Sequence, residues 1–337
     1  MDIQLFALNA SREWGEKITS HFPEICLAGH EETDFEDGEH KTRSLVNVRG
    51  RHVFVVQSLY SDDEQSVNDK LCRLLFFIGA LKDACAQQIT AVIPYFAYAR
   101  KDRKTKDRDP VTMKYMAQLL EAAGANAVLT MDIHNLSAFQ NAFRIPTDHL
   151  EARVLFAPYL VKQLAGEDIV VVSPDVGGVK RAEQLRETLG ELTGREIGKA
   201  FLDKKRSSGV VSSRQEIIGS VRDRTAVIID DLISTGSTIE LAVEALHKQG
   251  ARKILACATH GIFVGKANEI LANDDLDQII ITNTIPPFRL DKHLLDKVVV
   301  LDATLLFSEA VRQLHAGGSI VDLLQEYSGR RLAINGK

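Results

Sequence analysis

The sequence predicts an α/β fold built on mainly parallel sheets, and two observations support this. Short apolar runs rich in β-branched residues alternate with helical patterns along the 337-residue chain. In addition, a helix pattern, a Gly-Ala pair and a strand pattern follow one another in each half, from Gly124 to His134 and from Gly250 to His260. This repeat favours two copies of one α/β domain with a boundary near residues 146–151, although such units recur in any α/β protein.

Seven apolar runs predict the buried strands of these sheets. They cover residues 53–57, 90–94, 127–131, 169–173, 225–229, 253–258 and 278–282. Strands this apolar are expected to be covered by helices on both faces.

Three helices have clear ends in the sequence. One helix is predicted to have Asp109 as its N-cap and Pro110 as its first residue, and to end at Gly124. Its core-facing residues are predicted to be Met113, Met116, Leu119, Leu120 and Ala123. The second helix is predicted over residues 178–189 with Gly190 as its end, and the third over residues 237–249 with Gly250 as its end.

The composition is typical of a soluble globular protein, with 45% hydrophobic and 26% charged residues. A net charge of −5 argues against a nucleic-acid partner. The start Met-Asp-Ile-Gln lacks the features of a signal peptide, and no apolar stretch is long enough to span a membrane. The four cysteines form no C-x-x-C pair and lie in or beside apolar stretches, which predicts buried free thiols and a cytoplasmic protein: Cys26, Cys72, Cys85 and Cys257.

The most informative segment is an apolar run that ends in Asp230 and Asp231 and is followed by a small-residue loop and a helix pattern. Two carboxylates can accept hydrogen bonds from vicinal sugar hydroxyls, and N–H groups at a helix N-terminus can hold a phosphate dianion. The alternative is a solvated acidic turn before a well-capped helix. The order of the three parts favours a ribose-phosphate pocket, with a loop formed by Ser234, Thr235, Gly236, Ser237 and Thr238.

A second strand–loop–helix segment contains the paired glycines Gly177 and Gly178. Paired glycines between a strand and a helix can form a backbone nest for phosphate, and Asp175 at the strand end is placed to hold a cation. Alone, this segment fits a glycine-rich turn equally well. Beside the first loop it favours a diphosphate site, because a diphosphate needs more than one set of donors.

Two segments of the first half carry further charged groups. Asp132 and His134 follow one strand pattern, and residues two apart on a strand share a face, so they could serve a metal or a triphosphate. A buried histidine bonded to its neighbour explains this segment better when it is taken alone. A basic run from Arg100 and Lys101 to Arg108 follows another strand pattern, where α/β ligand sites form. Nucleotide phosphates are plausible targets, and a solvated loop or a nucleic-acid patch is the alternative.

Two more segments have weaker signals. Residues 202–214 are basic, polar and rich in small residues, which indicates either a solvated connector or a lid that brings cations onto a charged transition state. Residues 35–39, Phe-Glu-Asp-Gly-Glu, indicate an acidic turn with one exposed aromatic side chain.

Taken together, these segments resemble the ribose-phosphate diphosphokinases, or phosphoribosyl diphosphate (PRPP) synthetases, from about Phe6 to Leu324. The resemblance depends on four segments in the family's order, which are residues 92–104, residues 131–134, residues 173–181 and the Asp230-Asp231 loop. It implies two tandem phosphoribosyltransferase-type domains, residues 1–148 and 149–303, with a C-terminal helix over about residues 304–325 packing back on the first. It also implies Mg²⁺-dependent transfer of the diphosphoryl group of ATP to O1 of ribose 5-phosphate, by a homo-oligomer that is a dimer, tetramer or hexamer.

The resemblance also implies roles for individual residues. ATP would bind at Phe35, which stacks on adenine, at Asp37, Gly38 and Glu39 beside the base or a neighbouring subunit, and at Arg100, Lys101 and His134. His134 and Asp175 would lie at the metal–triphosphate site, with Gly177 and Gly178 in the diphosphate loop. Lys204 and Arg206 match the family's catalytic Lys-x-Arg. Asp230 and Asp231 would hold the ribose hydroxyls, and residues 234–238 the 5-phosphate.

The chain also departs from the family pattern. Ser234 and Lys101 stand where the family commonly has Asp and Gln. Asn135-Leu136-Ser137 stands where Ala-Gly-Gln is usual, in a stretch that in the family borders the regulatory site and the subunit interface. These changes make the usual allostery and the usual hexamer doubtful. Two other functions remain as alternatives: a non-catalytic homologue that regulates a partner synthetase, and a phosphoribosyltransferase that consumes PRPP.

Overall fold

The protein is described by a computed structural model, which defines residues 3–204 and 215–329. The chain divides into two compact units. Unit 1 comprises Met1–Glu151 and Thr304–Leu323, and unit 2 comprises Ala152–Ala303 and Leu324–Lys337. No helix among the described residues has the length and apolar character needed to cross a membrane.

Unit 1 is built on a six-stranded sheet whose neighbouring strands are all parallel, in the order β2-β1-β5-β6-β7-β8. The strands are β1 (Ile3–Ala7), β2 (Ile25–Leu27), β5 (His52–Val56), β6 (Gln88–Ile93), β7 (Ala127–Met131) and β8 (Thr147–Leu150). Between them lie α1 (Arg12–His21), α2 (Val67–Asp83), α3 (Thr112–Ala123) and α4 (Leu136–Ala142). All carboxyl ends of these strands therefore meet at one edge of the sheet, where α/β ligand sites form.

A separate antiparallel hairpin, β3 (His30–Asp34) and β4 (His40–Ser44), leaves this sheet and contacts α2. Arg73 of α2 binds Glu32 and Asp34 of the hairpin, and the backbone N–H of Asn9 donates to Glu32. Glu32 also accepts a hydrogen bond from His30 at 3.1 Å when the ring carries the proton on Nε2. These bonds keep the pKa of Glu32 below its ordinary value against the opposing effect of burial.

Unit 2 is built on a seven-stranded sheet in the order β11-β10-β9-β12-β13-β14-β15, in which only the β10–β11 pair is antiparallel among the described strands. The strands are β9 (Ile169–Ser173), β10 (Gly198–Lys204), β11 (Gln215–Ile218), β12 (Thr225–Ile233), β13 (Lys253–Gly261), β14 (Gln278–Thr282) and β15 (Val298–Leu301). The helices are α5 (Arg153–Gln163), α6 (Val179–Thr193), α7 (Ser237–Lys248) and α8 (Ala267–Leu271).

Two helices follow β15 in the chain. In α9 (Thr304–Ala316), which belongs to unit 1, Phe307 packs edge-on against Trp14 of α1, with ring centroids 4.8 Å apart. Ser308 Oγ donates to the carbonyl of Ile18 at 2.9 Å. The last helix is α10 (Ile320–Tyr327).

The predicted α/β class and the seven predicted buried strands are confirmed, and both copies of the helix–Gly–Ala–strand unit are present. Two helix ends differ from their predictions. The first predicted helix begins at Thr112 with Val111 as N-cap, because the Asp109 carboxylate instead binds Thr105 and Lys106 in its own loop. The second ends with Gly194, which has φ of 65°, whereas Gly190 is an ordinary helical residue.

Two burial predictions were wrong. Leu119 is exposed, because the buried stripe of α3 runs through Met113, Met116, Ala117 and Leu120. All four cysteines are free thiols, but only Cys257 is buried; Cys26, Cys72 and Cys85 are exposed. Apolar neighbours in the sequence do not determine whether a side chain points to the core or to solvent, since successive side chains of a helix or strand face different sides.

Candidate functional site

The two predicted sugar-binding carboxylates lie near the carboxyl end of β12, a central strand of unit 2. Asp231 is 4% exposed, and the Asp230 side chain is 18% exposed. The backbone N–H of Asp231 donates to Asp230 Oδ1 at 2.9 Å, which fixes the Asp230 carboxylate against the backbone of the next residue. The arrangement presents two adjacent, largely buried hydrogen-bond acceptors.

Arg181 of α6 faces this pair. Its Nη1 lies 3.4 Å from Asp230 Oδ1 and 3.5 Å from Asp231 Oδ1. A cation in the first turn of a helix is disfavoured by the helix dipole, so the two carboxylates supply the compensation that this position needs. Because β9 and β12 are neighbouring parallel strands, the start of α6 comes next to the aspartate pair.

The charge state of the pair differs from that of two free carboxylates. The pKa of Asp230 is raised to about 8, with burial as the largest cause and the adjacent Asp231 acting in the same direction, while Arg181 opposes the change. The ligand-free pair therefore holds a proton near neutral pH, as two carboxyl groups that share one site do. A protonated carboxyl can donate as well as accept, so the pair can both donate and accept hydrogen bonds.

The loop after β12 leads directly into the N-terminus of α7. Gly236 has φ of 86°, a left-handed conformation that favours glycine, and it directly precedes α7. The hydroxyls of Thr235 and Ser237 lie 3.1 Å apart, and the N–H of Val264 holds the carbonyl of Ser234 at 2.9 Å. The first N–H groups of α7 have no acceptor within the helix and point toward the same edge as the aspartates.

The Asp175 loop is organised by its own side chain. Ser173 Oγ donates to the carbonyl of Asp175 at 2.6 Å, and Asp175 Oδ1 accepts the N–H of Gly178 at 2.9 Å. A Cβ on Gly178 would lie 2.7 Å from Ser173 Oγ, so a larger residue here would force the Ser173 hydroxyl to move. The Gly178 N–H is already paired with an anion of the protein, and a diphosphate would have to replace Asp175 to use it.

In unit 1, the basic loop follows β6 and carries Arg100, which is exposed, and Lys101, which is half-buried. Lys101 Nζ donates to Asp109 and to the hydroxyl of Thr105. These bonds, with the side-chain bond from Lys101 as the main cause, keep the pKa of Asp109 far below its ordinary value. Lys101 therefore has a partner within its loop, whereas the Arg100 side chain extends toward solvent.

His134 follows β7, the neighbour of β6, and is exposed. The strand ends at Met131, and Asp132 has φ of 39°, so the alternation that was predicted to place Asp132 and His134 on one face does not apply. The prediction of a buried His134 was wrong for the same reason. The structure instead brings His134 and the basic loop to one edge of the sheet, at the ends of adjacent strands.

The tip of the β3–β4 hairpin carries the remaining predicted ATP residues. Phe35 is 47% exposed, and its N–H donates to the carbonyl of Glu39 at 2.9 Å. Asp37 accepts the N–H of Glu39 at 3.0 Å, and Gly38 has φ of 90°. The hairpin therefore presents an exposed aromatic ring on a closed turn.

The donors available for a divalent cation are compatible with Mg²⁺ held largely by substrate. Within residues 3–204 and 215–329, no group of three or more His, Cys, Asp or Glu side chains is arranged to hold a metal ion. Mg²⁺ usually keeps several waters and binds one or two carboxylates together with substrate phosphates. Asp175 is exposed and its carboxylate is oriented by Gly178, so it can supply such a ligand.

Comparisons with known proteins give the family. Profiles of the N-terminal domain of ribose phosphate pyrophosphokinase and of the phosphoribosyl synthetase-associated domain match residues 3–124 and 209–325. The ribose-phosphate pyrophosphokinase of Caldanaerobacter subterraneus subsp. tengcongensis is 41% identical over 321 residues, 95% of this chain and 97% of that protein. The Thermotoga maritima enzyme is 39% identical over 326 residues, 96% of this chain and 98% of that protein. The chain belongs to the ribose-phosphate pyrophosphokinase family.

The fold of this family member agrees with a solved relative. The crystal structure of phosphoribosylpyrophosphate synthetase from Mycobacterium smegmatis matches with a TM-score of 0.84 at 32% identity, covering 94% of this chain and 100% of that one. The predicted family, enzyme class and fold of two phosphoribosyltransferase-type units with parallel sheets are therefore confirmed.

The predicted catalytic pair lies at the edge of the described residues. Arg206 lies outside the described residues, and Lys204 is described only in its backbone, as the last residue of β10. In the other direction, the sequence reasoning gave no role to Arg181. Its position in the first turn of the helix that follows β9, together with the two aspartates near the end of another apolar run, was the available signal.

The shifted pKa of Asp230 predicts a pH dependence of stability in this pyrophosphokinase. A carboxyl whose pKa is raised on folding loses stability as pH rises from its ordinary value near 4 toward about 8, because the unfolded state gives up its proton first. Asp230→Asn should therefore raise the melting temperature of the ligand-free protein by roughly 2 °C or more at pH 8.5 and by less at pH 5.

Thermal unfolding of the wild type and of Asp230→Asn at both pH values measures this effect. Asp296→Asn is the matched control, because Asp296 is exposed in the same unit. An equal shift at both pH values would contradict the assigned ionisation of the pair.

Proposed function

We propose that the protein transfers the diphosphoryl group of ATP to O1 of ribose 5-phosphate, giving PRPP and AMP. The observation that carries the proposal is the Asp230–Asp231 pair beside the glycine-containing loop at the start of α7, in a member of the ribose-phosphate pyrophosphokinase family. The carboxyl pair suits the ribose hydroxyls. The N–H groups of the loop, with the hydroxyls of Ser234, Thr235, Ser237 and Thr238, suit the 5-phosphate.

In the proposed reaction, O1 of the sugar attacks the β-phosphorus of ATP, the bond to the α,β-bridging oxygen breaks, and AMP leaves. Positioning and charge neutralisation dominate such transfers. Mg²⁺, with ligands proposed from Asp175 and the His134 segment, would neutralise charge on the phosphate oxygens. Lys204 and Arg206 would meet the negative charge that develops on the α-phosphate as AMP leaves.

The nucleotide is assigned to unit 1 by the same proposal. Phe35 would stack on adenine, with Asp37, Gly38 and Glu39 around it, and Arg100 and His134 would contact the triphosphate. The exposed ring of Phe35 and the exposed side chains of Arg100 and His134 support these roles. Lys101 would need to leave Asp109 to take part. Gly177 and Gly178 remain the proposed diphosphate loop.

The proposed setting is the cytoplasm, with ATP and ribose 5-phosphate as substrates, Mg²⁺ as cofactor and a homo-oligomer as the active form. Membrane and nucleic-acid partners are not part of the proposal. A regulatory homologue without activity would be expected to lack Lys204, Arg206, His134 or Asp175, and this chain has all four. A phosphoribosyltransferase that consumes PRPP would not need the Phe35 and Arg100 segments.

The deciding experiment is an assay of purified protein with ATP, MgCl₂ and ribose 5-phosphate. We expect AMP and PRPP in equal amounts, with strict dependence on the sugar phosphate and on the divalent metal. Release of ADP in place of AMP would indicate transfer of the γ-phosphoryl group and would overturn the proposal. Absence of any turnover, with nucleotide still bound, would favour the regulatory homologue.

Regulation is expected to differ from the usual pattern of the family. Leu136 is half-buried and packs against the core of unit 1, where a phosphate-binding surface would need donors and room. We therefore predict weak or absent activation by phosphate and inhibition by ADP only through competition with ATP. Initial rates against ATP at several ADP concentrations, with and without phosphate, measure both effects. Sigmoidal inhibition at saturating ATP that phosphate relieves would contradict the prediction.

A further inference from the structure

Asn135 uses both ends of its side-chain amide. Its Oδ1 accepts the N–H of Ala138 at 3.1 Å and so caps α4, while its Nδ2 donates to Asp102 Oδ2 at 2.6 Å. The second bond is short and has a charged acceptor, which places it among the stronger side-chain hydrogen bonds. One residue therefore joins the first turn of α4 to the basic loop.

The bond connects two segments that come from neighbouring strands. Asp102 lies two residues after Arg100 in the loop that follows β6, and Asn135 directly follows His134 in the loop after β7. These are the two segments of the main sheet of unit 1 to which the proposed function assigns the ATP phosphates. Their relative position determines whether Arg100 and His134 can contact one triphosphate.

Several other bonds of the basic loop act within it or toward α3. The Asp109 carboxylate accepts the N–H groups of Thr105 at 3.1 Å and Lys106 at 3.0 Å, and Met113 donates to the carbonyl of Lys101 at 3.2 Å. These contacts set the shape of the loop and attach it to α3. The bond from Asn135 to Asp102 adds an attachment to the segment that carries His134.

The chemistry at position 135 favours asparagine over the other good capping residues. Ser, Thr and Asp also cap helix N-termini well, but aspartate has no donor for Asp102 and the shorter hydroxyl side chains lack the amide N–H. We propose that Asn135 is a positioning residue for ATP, holding Arg100 and Lys101 in register with His134 through its hydrogen bond to Asp102. This inference rests on the proposed function.

A set of four variants tests the hydrogen bond. Asn135→Ser keeps a capping side chain without the amide donor, and Asn135→Asp keeps the cap but puts two carboxylates together. Asp102→Asn keeps an acceptor, and the exchanged pair Asn135→Asp with Asp102→Asn restores a charged hydrogen bond in the reverse direction. A hydrogen bond to a charged group is stronger than one between neutral groups, so its loss can change binding by about tenfold or more.

The expected result is a rise of about tenfold in KM for ATP in Asn135→Asp and a somewhat smaller rise in Asn135→Ser. kcat and KM for ribose 5-phosphate should stay within about twofold of the wild type, because the substitutions affect only the ground-state contacts of the ATP triphosphate. Asp102→Asn alone should have little effect, and the exchanged pair should recover most of the loss. An exchanged pair no better than Asn135→Asp, or equal changes in both KM values, would overturn the inference.

Hydrogen exchange gives a readout that does not depend on activity. The amides of residues 101–109 should exchange faster in Asn135→Ser than in the wild type, while those of α2 should be unchanged. Unchanged exchange in residues 101–109 would show that Asn135 does not order the loop. If wild-type protein forms no AMP, the proposed function fails by itself, and the exchange experiment still decides whether Asn135 fixes the loop.

Discussion

Replacing Lys204 with alanine is expected to lower kcat by about 10²-fold or more, while KM for both substrates changes far less. A cation that acts mainly on the charge of the transition state contributes to kcat rather than to binding, and removal of one preorganised donor has an effect of about this size. Lys204 ends β10, three residues beyond the register pair Phe201–Ser173, so its backbone lies toward the same edge as the Asp175 loop.

Lys205→Ala is the matched control, since it removes the same charge one residue further along the chain. We expect it to reduce kcat by only a few fold. Steady-state kinetics with both substrates varied would measure the difference, and circular dichroism would verify that both variants fold. Similar losses in the two lysine variants would mean that the catalytic Lys-x-Arg has been assigned in the wrong register.

The second large effect is expected in sugar binding. Asp231→Asn keeps the shape of a largely buried side chain and removes its charge, so KM for ribose 5-phosphate should rise by about 10- to 100-fold, the equivalent of one charge-assisted hydrogen bond. Asp230→Asn should act in the same direction. Arg181 would retain one carboxylate partner in each single variant, which favours an intact fold.

Both KM values should be measured in each aspartate variant, with Asp296→Asn as a control for loss of an exposed charge in unit 2. KM for ATP is expected to remain within about twofold. If KM for ribose 5-phosphate is unchanged in Asp230→Asn and in Asp231→Asn, the sugar binds elsewhere in the protein.

The central strands were predictable because burial on both faces selects continuous apolar runs, as in β9 and β12. The β3–β4 hairpin was not, since its sequences His-Glu-Glu-Thr-Asp and His-Lys-Thr-Arg-Ser have no apolar pattern. Its position comes from polar contacts with Arg73, which lies far away in sequence. β8 was missed because it has only four residues, of which one is buried.

In the candidate site, too, the features set by local sequence were predictable and those set by contacts between distant residues were not. Asp230, Asp231 and Gly236 were predicted because the local order of strand, loop and helix determines their geometry. The contact of Arg181 with both aspartates depends on which strands are neighbours, and the bond from Asn135 to Asp102 depends on the adjacency of β6 and β7. Sequence periodicity carries no information on such pairings. His134 was misjudged because strand alternation was assumed to continue past Met131, whereas the strand ends there and Asp132 adopts a left-handed conformation.

The attachment of the β3–β4 hairpin to α2 has a thermodynamic consequence for any molecule that binds at its tip. Arg73 holds the hairpin to α2 through Glu32 and Asp34 in ligand-free protein, and the turn that carries Phe35 is closed by its own backbone bonds. Conformational entropy has thus largely been lost during folding rather than at the moment of association. A ring stacking on Phe35 meets a preorganised surface, so more of the stacking free energy remains available as affinity.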